Sequence, residues 1–572
     1  MSSSSAMTTA YSAMMTPGME SALEPALKLL ADHLIALDKR LHDARPSYVV
    51  IGAGVSATVA IQAFYYLLDL RKRCRTKGAL WLFFESVKAL PIVKGLIAAE
   101  RGKMIAEMDA DMSKKLAKEP PRLTSLPAKG MSVDAVLVEA AQRKRKDLEW
   151  TPTGSLMSGA VYMADDAHFK MLSSVYSSFA HSNPLHGDAF PAVVRMENEV
   201  VNMTATMLGC SPGGPNPNVC GLMTSGGTEA RSIRCILTAI RATRDYSRDV
   251  RGIKAPEMIV AISAHAAVYK AADYFGIELV RVGVDENFRM DINAVRRAVN
   301  GNTILIYAST PGYPHGAVDD IQALAAIAKR RKCCLHVDAC LGGFVLPFAS
   351  SIKPFDFRVD GVTSMSVDTH KYGLAQKGSS VVLYNSAALR QYQYTAVMDW
   401  SGGLYISPSQ AGSRSGGLIA QTWAALMRMG REGYQRVADD VIAGANELRA
   451  GLSEIDGLKV LGEDVSMVVA WGSSDPSLNI YTVNDVMVKK GWHLSVLQAP
   501  PALHMCLTSA NVASVRQLCV DLAIAVKETR ALGKGKVDGG KAPIYGLAGG
   551  LPDRGTVGDI LKDVQDLMLK HV

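Results

Sequence analysis

His370 and Lys371 stand side by side in Ser366-Val-Asp-Thr-His-Lys-Tyr-Gly373, a small polar turn that follows the buried-strand pattern Gly361-Val-Thr-Ser-Met365. A lysine in that place is positioned for covalent chemistry as a Schiff-base former. About thirty residues upstream, Asp338 ends another apolar run in His336-Val-Asp-Ala-Cys-Leu-Gly-Gly343. The two groups meet complementary needs: an amine that joins to a carbonyl, and a carboxylate that keeps a ring nitrogen protonated.

An anion site can be read as well. Met223-Thr-Ser-Gly-Gly-Thr-Glu-Ala230 runs straight into an apolar helix, Ile233 to Ile240, so Gly226, Gly227 and Thr228 sit at its amino end. Free backbone N–H groups and the helix dipole attract a phosphate there, and the glycines let it approach closely. Lysine, carboxylate and cradle together indicate pyridoxal 5'-phosphate as the cofactor. His265, in Ser263-Ala-His-Ala-Ala267, opens the next helix at the end of a strand, as a capping histidine would.

The elements that must position these groups show from residue 220 onward. Met258 to Ser263, Glu278 to Val284, Thr303 to Ala308 and Cys334 to Asp338 are short Val- and Ile-rich runs, separated by helical patterns over Ala266 to Phe275, Asp291 to Val299 and Ile321 to Lys332. Such alternation predicts an α/β fold with a mainly parallel sheet covered on both faces. Ligands of such sheets gather at the carboxyl ends of the strands, where Asp338 and the Lys371 turn belong. After a linking helix, Glu432 to Leu452, the runs Val465 to Trp471, Trp492 to Leu497 and Ala502 to Thr508 alternate with helices Val483 to Lys490 and Val515 to Leu532, a small α/β domain. The expected organisation is therefore 1–45 amino-terminal segment, 46–70 membrane span, 71–194 juxtamembrane helical segment, 195–431 large cofactor-binding domain and 432–572 small carboxy-terminal α/β domain.

Composition excludes several function classes. The 572 residues carry a formal net charge of +8, partly in the runs Arg71-Lys-Arg-Cys-Arg75, Arg143-Lys-Arg-Lys146 and Lys329-Arg-Arg-Lys332. No aromatic residues are interleaved with them, so solvated helix faces explain the charge better than nucleic acid does. The 9 cysteines form no Cys-x-x-Cys pair and the 12 histidines show no paired helical spacing, so no metal site is expected. Tyr48 to Leu68 is uncharged for about twenty residues and is followed at once by Arg71, Lys72, Arg73, Arg75 and Lys77. The positive-inside rule makes this a single span with the catalytic part cytosolic. A buried helix is the competing reading; a signal peptide is excluded by position and by the charge that follows.

The ordered set Thr224-Ser-Gly-Gly-Thr-Glu229, Ser263-Ala-His-Ala-Ala267, His336-Val-Asp-Ala-Cys-Leu-Gly-Gly-Phe344, Asp368-Thr-His-Lys-Tyr-Gly373 and Lys377-Gly-Ser-Ser380 resembles the sphingosine-1-phosphate lyases, in the group II decarboxylase-like branch of pyridoxal phosphate enzymes. Ser158-Gly-Ala-Val-Tyr162, Ser182-Asn-Pro-Leu-His186, Ala411-Gly-Ser-Arg414 and Ala542-Pro-Ile-Tyr-Gly546 extend it over roughly residues 150 to 550. The resemblance implies the fold-type I, aspartate aminotransferase-like architecture, a homodimer and an endoplasmic reticulum membrane anchor. It implies retro-aldol cleavage of the C2–C3 bond of a phosphorylated sphingoid base, giving phosphoethanolamine and a long-chain aldehyde.

Carried over residue by residue, Lys371 would hold the cofactor, Asp338 its ring nitrogen and His265 its ring face. Gly226, Gly227, Thr228 and His370 would bind its phosphate, with Gly412 and Ser413 reaching in from the other subunit. Tyr162, His186 and Lys377 match positions around the substrate phosphate and the reacting carbon, and Lys371, His186 and Tyr162 stay open as candidates for the catalytic base. One departure stands out: Gly373-Leu-Ala-Gln-Lys-Gly378 lacks the proline common before the second lysine, which leaves the placement of Lys377 open. An amino-acid decarboxylase would share Lys371 and Asp338 but need a carboxylate site. A non-catalytic membrane scaffold would need neither.

Overall fold

A computed structural model describes residues 86–87, 90–116, 123, 125–145, 155–163, 165–225, 233–463, 465–533 and 554–571. The expected span over Tyr48 to Leu68, the cradle residues Gly226, Gly227 and Thr228, and the motif Ala542 to Gly546 lie outside the described residues. Among the described residues, no helix is long and apolar enough to cross a membrane.

Four helices precede the main sheet: α1 Pro91–Leu116, α2 Val133–Lys144, α3 Asp166–Ser178 and α4 Pro191–Met207. The sheet alternates strand and helix: β1 Cys220–Ser225, α5 Ile233–Arg251, β2 Glu257–Ala261, α6 Ala267–Phe275, β3 Glu278–Val282, α7 Ile292–Ala298, β4 Thr303–Ser309, α8 Ile321–Arg331, β5 Cys334–Asp338, β6 Ser364–Val367 and β7 Ser379–Tyr384. Its seven strands lie in the order β1-β7-β6-β5-β4-β2-β3. β7 pairs antiparallel with both β1 and β6, and the remaining pairings are parallel.

Side-chain alternation divides the sheet into two dry faces. Ile259, Ile306, Leu335, Val337, Met365 and Val381 pack on one side with Val200 of α4 and Leu324 of α8. Met258, Val260, Leu305, Tyr307, Val382 and Tyr384 pack on the other with Ile236 and Ile240 of α5 and Val268 of α6. Continuous burial of β2, β4, β5, β6 and β7 is what a sheet covered on both faces requires.

Two boundaries differ from the sequence reading for local reasons. The strand after Gly361 begins only at Ser364, because Gly361 turns with φ 111°. The linking helix, α9 Gly416–Ser453, starts well before Glu432: Ser415 caps it through a bond from the Leu418 N–H, and a break at Gly430, φ 56°, divides it. Beyond it, β10 Leu458–Leu461, β11 Val468–Ser473, β12 Ser495–Gln498 and β13 Pro501–Cys506 form a four-stranded antiparallel sheet in the order β10-β11-β13-β12. Helices α10 Ile480–Lys489 and α11 Val515–Leu532 accompany this sheet, and α12 Arg554–His571 ends the described chain.

A buried ion pair ties α4 to the sheet. Arg414 and Glu197 are each 6% exposed and bonded to one another. Glu197 also accepts from the Met223 N–H at 3.1 Å, and Arg414 donates to the Met223 carbonyl at 3.3 Å. Breaking such a pair strands a charge in the core, so it fixes the loop carrying Gly412 and Ser413 relative to β1.

Candidate active site

Register brings the chemistry together. Ser309 of β4 pairs with Asp338 of β5, and Asp338 pairs with Ser366 of β6, so three polar residues stand in a row at the carboxyl ends of adjacent parallel strands. The glycines after Asp338 permit the close packing of the turn: a Cβ on Gly342 would meet the Thr310 carbonyl, and one on Gly343 the Val367 side chain. The polar turn from β6 to β7 then delivers Asp368, His370 and Lys371 to the same place.

Ser309, Asp338, His370 and Lys371 border one cavity of about 330 Å³, together with Ser158, Tyr162, His265, Tyr313, Cys340, Lys377, His504 and Cys506. A second, more apolar cavity of about 250 Å³ shares Tyr162, His370, Lys371 and Lys377 and adds Val161, Met163, Phe169, Leu374 and Ala375. His504 and Cys506 belong to β13, so the smaller sheet supplies part of the wall. The segment carrying Tyr162 is fastened to that sheet: the Gly159 N–H donates to the Cys506 carbonyl at 3.0 Å, and the Cys506 N–H donates to Ser158 Oγ at 3.0 Å.

Each charged group has a defined environment. Lys371 Nζ lies 3.0 Å from Asp368 Oδ2, with 18% of its side chain reaching solvent. Burial pulls its pKa down, but the Asp368 carboxylate, joined by Tyr162 and Cys340, pushes it up and leaves it well above the ordinary 10.5. Asp338 accepts from the Tyr307 hydroxyl, from the Cys340 N–H at 3.0 Å and from Ser366 Oγ at 3.4 Å. Burial and the adjoining Asp338 charge hold the Tyr307 phenol well above its ordinary range, so it remains a donor. His336, which brackets Ser364 and Ser366 through its two ring nitrogens at 2.9 and 3.0 Å, is pushed down to about 4 by burial and is neutral.

His265 lies between β2 and α6 with Nδ1 accepting from the Ala267 N–H at 3.2 Å, which leaves Nε2 as the protonated nitrogen. Burial lowers its pKa against the pull of Asp338. His370 is buried, its Nδ1 donating to the Ser379 carbonyl at 2.6 Å and its Nε2 3.9 Å from Asp368. That tautomer lets His370 donate to a phosphate through Nε2 only as the imidazolium, a form burial disfavours. Tyr162 packs edge-on against Tyr372, centroids 5.0 Å apart, and the Lys377 ammonium sits 4.5 Å from the centroid of its ring. Gln376 replaces the absent proline as an anchor: its N–H donates to Gln421 Oε1 at 2.9 Å and its amide to Ser173 at 3.3 Å. Lys377, next in the chain, borders both cavities.

Three expected site residues stand elsewhere. His186 is exposed, in the turn before α4, and is not among the residues bordering either cavity. Ser413 is exposed and bonds Asn183 of that same turn at 3.1 Å, with Gly412 next to it in the chain. His186, Gly412 and Ser413 thus share a second locus, stitched by the Gly416 N–H to Ser182 carbonyl bond of 2.8 Å. Sequence reasoning did not assign Asp368, Tyr307, Ser366 or His504. Tyr307 could have been found from strand alternation, since it is paired with His336, two residues from Asp338 on the same face.

The donor set fits pyridoxal phosphate: a buried lysine for a carbonyl and, across one cavity, a carboxylate braced by three donors for a protonated ring nitrogen. Comparison with known proteins agrees. Residues 157–471 match the pyridoxal-dependent decarboxylase conserved domain. The chain is 45% identical to the sphingosine-1-phosphate lyase of Arabidopsis thaliana over 84% of its own length and 87% of that protein. The structure of a Burkholderia pseudomallei sphingosine-1-phosphate lyase superposes with a TM-score of 0.68 at 38% identity, covering 73% of this chain and 95% of that one. A Lactobacillus brevis glutamate decarboxylase shares the fold, with a TM-score of 0.61 at 18% identity over 73% of this chain and 97% of the other.

The Asp368 pair has a testable sign. A lysine whose folded pKa is raised gives stability that is complete below 10.5 and fades as pH rises through the folded value. Asp368→Asn removes the largest influence that raises the Lys371 pKa while burial still pulls it down, so the pKa falls. The pH dependence of Lys371 labelling by an amine-reactive reagent in cofactor-free protein should shift down accordingly. An unchanged profile would remove Asp368 from the account.

Proposed function

The chain belongs to the sphingosine-1-phosphate lyase family of pyridoxal phosphate enzymes, and from that premise we propose residue roles for its reaction, a shared dimeric site and a membrane anchor. The activity is pyridoxal phosphate-dependent cleavage of the C2–C3 bond of a phosphorylated sphingoid base to phosphoethanolamine and a long-chain aldehyde. The observation that carries the residue assignment is that Lys371, paired with Asp368, borders one cavity with Asp338.

Pyridoxal phosphate, when bound, supplies the electron sink for the charge left on C2 as the bond breaks. Lys371 would hold it covalently, Asp338 would face its ring nitrogen and His265 its ring. Asp338, an acceptor braced by a phenol, an N–H and a hydroxyl, would favour the protonated form of that nitrogen. Asp368 has a different duty: its 3.0 Å ion pair would hold Lys371 in place for the carbonyl. Gly226, Gly227 and Thr228 would receive the cofactor phosphate, and His370, whose neutral tautomer leaves Nε2 without a hydrogen, would add a donor only as the imidazolium.

Lys377 and Tyr162, which border both cavities, would take the phosphate of the substrate, the lysine as a point charge and the tyrosine as a hydrogen-bond donor. Burial keeps the Tyr162 phenol protonated, suiting it to donate. The apolar cavity lined by Val161, Met163, Phe169 and Leu374 suits an aliphatic portion of the substrate.

The separation of His186, Gly412 and Ser413 from Lys371 supports a homodimer in which these residues complete the partner's site. Next to them in sequence, strands β8 Thr395–Val397 and β9 Tyr405–Ser407 form a hairpin exposing Met398, Trp400, Leu404 and Ile406 at 79, 55, 87 and 64%. An apolar patch of that kind calls for a partner surface. Tyr48 to Leu68 with its following positive charge supports a single-pass anchor in the endoplasmic reticulum membrane, the catalytic part facing the cytosol.

Wild-type protein given sphingosine 1-phosphate releases phosphoethanolamine, and Lys371→Ala releases none; equal release from both would contradict the assignment of Lys371. Co-expression of Lys371→Ala with His186→Ala chains should yield activity that neither variant has alone, because one site of the mixed dimer is intact. No recovery would place His186 in the same chain's site. Deleting residues 46–70 should move the protein from the membrane pellet to the supernatant, and continued sedimentation of the deleted form would remove the anchor from that segment.

A further inference from the structure

The wall contributed by β13 holds a residue that no motif singles out. His504 borders the cavity that contains Lys371, Asp338, His265 and Tyr162, yet its residue surface is 0% exposed. Its Nδ1 lies 3.0 Å from the Pro314 carbonyl. A carbonyl can only accept, so Nδ1 carries the hydrogen and Nε2 presents a lone pair. Nε2 is buried and has no hydrogen-bond partner among the described residues. The ring is further fixed by Tyr313, packed edge-on with centroids 4.7 Å apart. A buried acceptor left alone in a folded protein is unfavourable, and such atoms are rare unless a ligand or water meets them.

Asp338, His265 and His370 around the cavity already have partners. The Asp338 oxygens accept from Tyr307, Cys340 and Ser366. His265 accepts through Nδ1 and is left with a donor at Nε2. His370 donates to Ser379 and turns Nε2 toward Asp368, which is itself paired with Lys371. Burial pushes His504 down to about 4, so its Nε2 stays an unprotonated acceptor through the neutral range. It is therefore suited to hold a hydroxyl group of the substrate and poorly suited to carry a proton away.

We propose that His504 Nε2 accepts the hydrogen bond of the substrate's C3 hydroxyl, fixing the C2–C3 bond for cleavage and selecting 2-amino phosphates that bear a hydroxyl at C3. This rests on the reading of the cavity as the lyase site and adds to it the contact that recognises the group destined to become the aldehyde. A site built to bind a hydroxyl discriminates strongly against a molecule lacking it, because its own polar atom is then left unpaired.

The test compares turnover of sphingosine 1-phosphate with inhibition by its 3-deoxy analogue in wild type, His504→Asn and His504→Gln. Asparagine can keep the bond from the Nδ1 position to the Pro314 carbonyl while removing the Nε2 acceptor, and glutamine returns an amide oxygen near Nε2. His504→Asn should lower kcat/KM by about 100-fold, a size typical of losing one positioned polar group. Cofactor absorbance and the inhibition constant of the 3-deoxy analogue should stay at wild-type values, and His504→Gln should regain part of the loss. Unchanged kcat/KM in His504→Asn would overturn the proposal. So would a parallel loss of affinity for the 3-deoxy analogue, the mark of a merely structural role. Absence of phosphoethanolamine from the wild-type enzyme would instead reject the underlying lyase reading.

Discussion

Everything at this site depends on the parallel register of β4, β5 and β6. Pairing Ser309 with Asp338 and Asp338 with Ser366 sets the carboxyl ends of three strands level. Side chains at one level of a parallel sheet can converge only if the turns above them are compact, and the sequence meets that demand with Gly342 and Gly343 after β5. The turn after β6 then brings Asp368 within 3.0 Å of Lys371. A slip of one residue in β5 would turn Asp338 to the opposite face and leave the lysine without its counterpart.

The electrostatics follow from that placement. Two carboxylates share the cavity region, and each is assigned a different partner. Asp368 faces an ammonium, whereas Asp338 faces a phenol, an N–H and a hydroxyl. The histidines around them, 265, 336, 370 and 504, are all pushed toward the neutral form by burial. They act as oriented donors and acceptors, with tautomers set by backbone or hydroxyl groups. The two lysines that border the cavity are Lys371 and Lys377. The small antiparallel sheet completes the cavity through His504 and Cys506.

Much of this was legible in the residues. Lys371, Asp338 and His265 announced themselves because a polar residue that ends an apolar strand has few structural reasons to be there, and the structure gathers all three around one cavity. The alternation of β2 through β5 with helices was likewise plain. β1 and β7 were less so: Cys220-Gly-Leu-Met-Thr-Ser225 and Ser379-Ser-Val-Val-Leu-Tyr384 are defined by antiparallel pairing across more than a hundred residues. Asp368 was hidden by its ordinary appearance in a turn, and His504 by a strand whose pattern matches any buried edge of a small domain. Both acquire meaning only from what the tertiary fold places opposite them. His186 shows the converse, a residue implied by resemblance that a single chain leaves at its surface.

The central claim is that Lys371 is the residue that holds the cofactor. Reducing the cofactor-loaded enzyme with borohydride, digesting it and locating the pyridoxyl label by mass spectrometry tests that claim most directly. The account predicts a single labelled peptide containing Asp368-Thr-His-Lys-Tyr-Gly373, modified at Lys371. A label on Lys377 or on another lysine, or a loaded enzyme that retains no label, would contradict it.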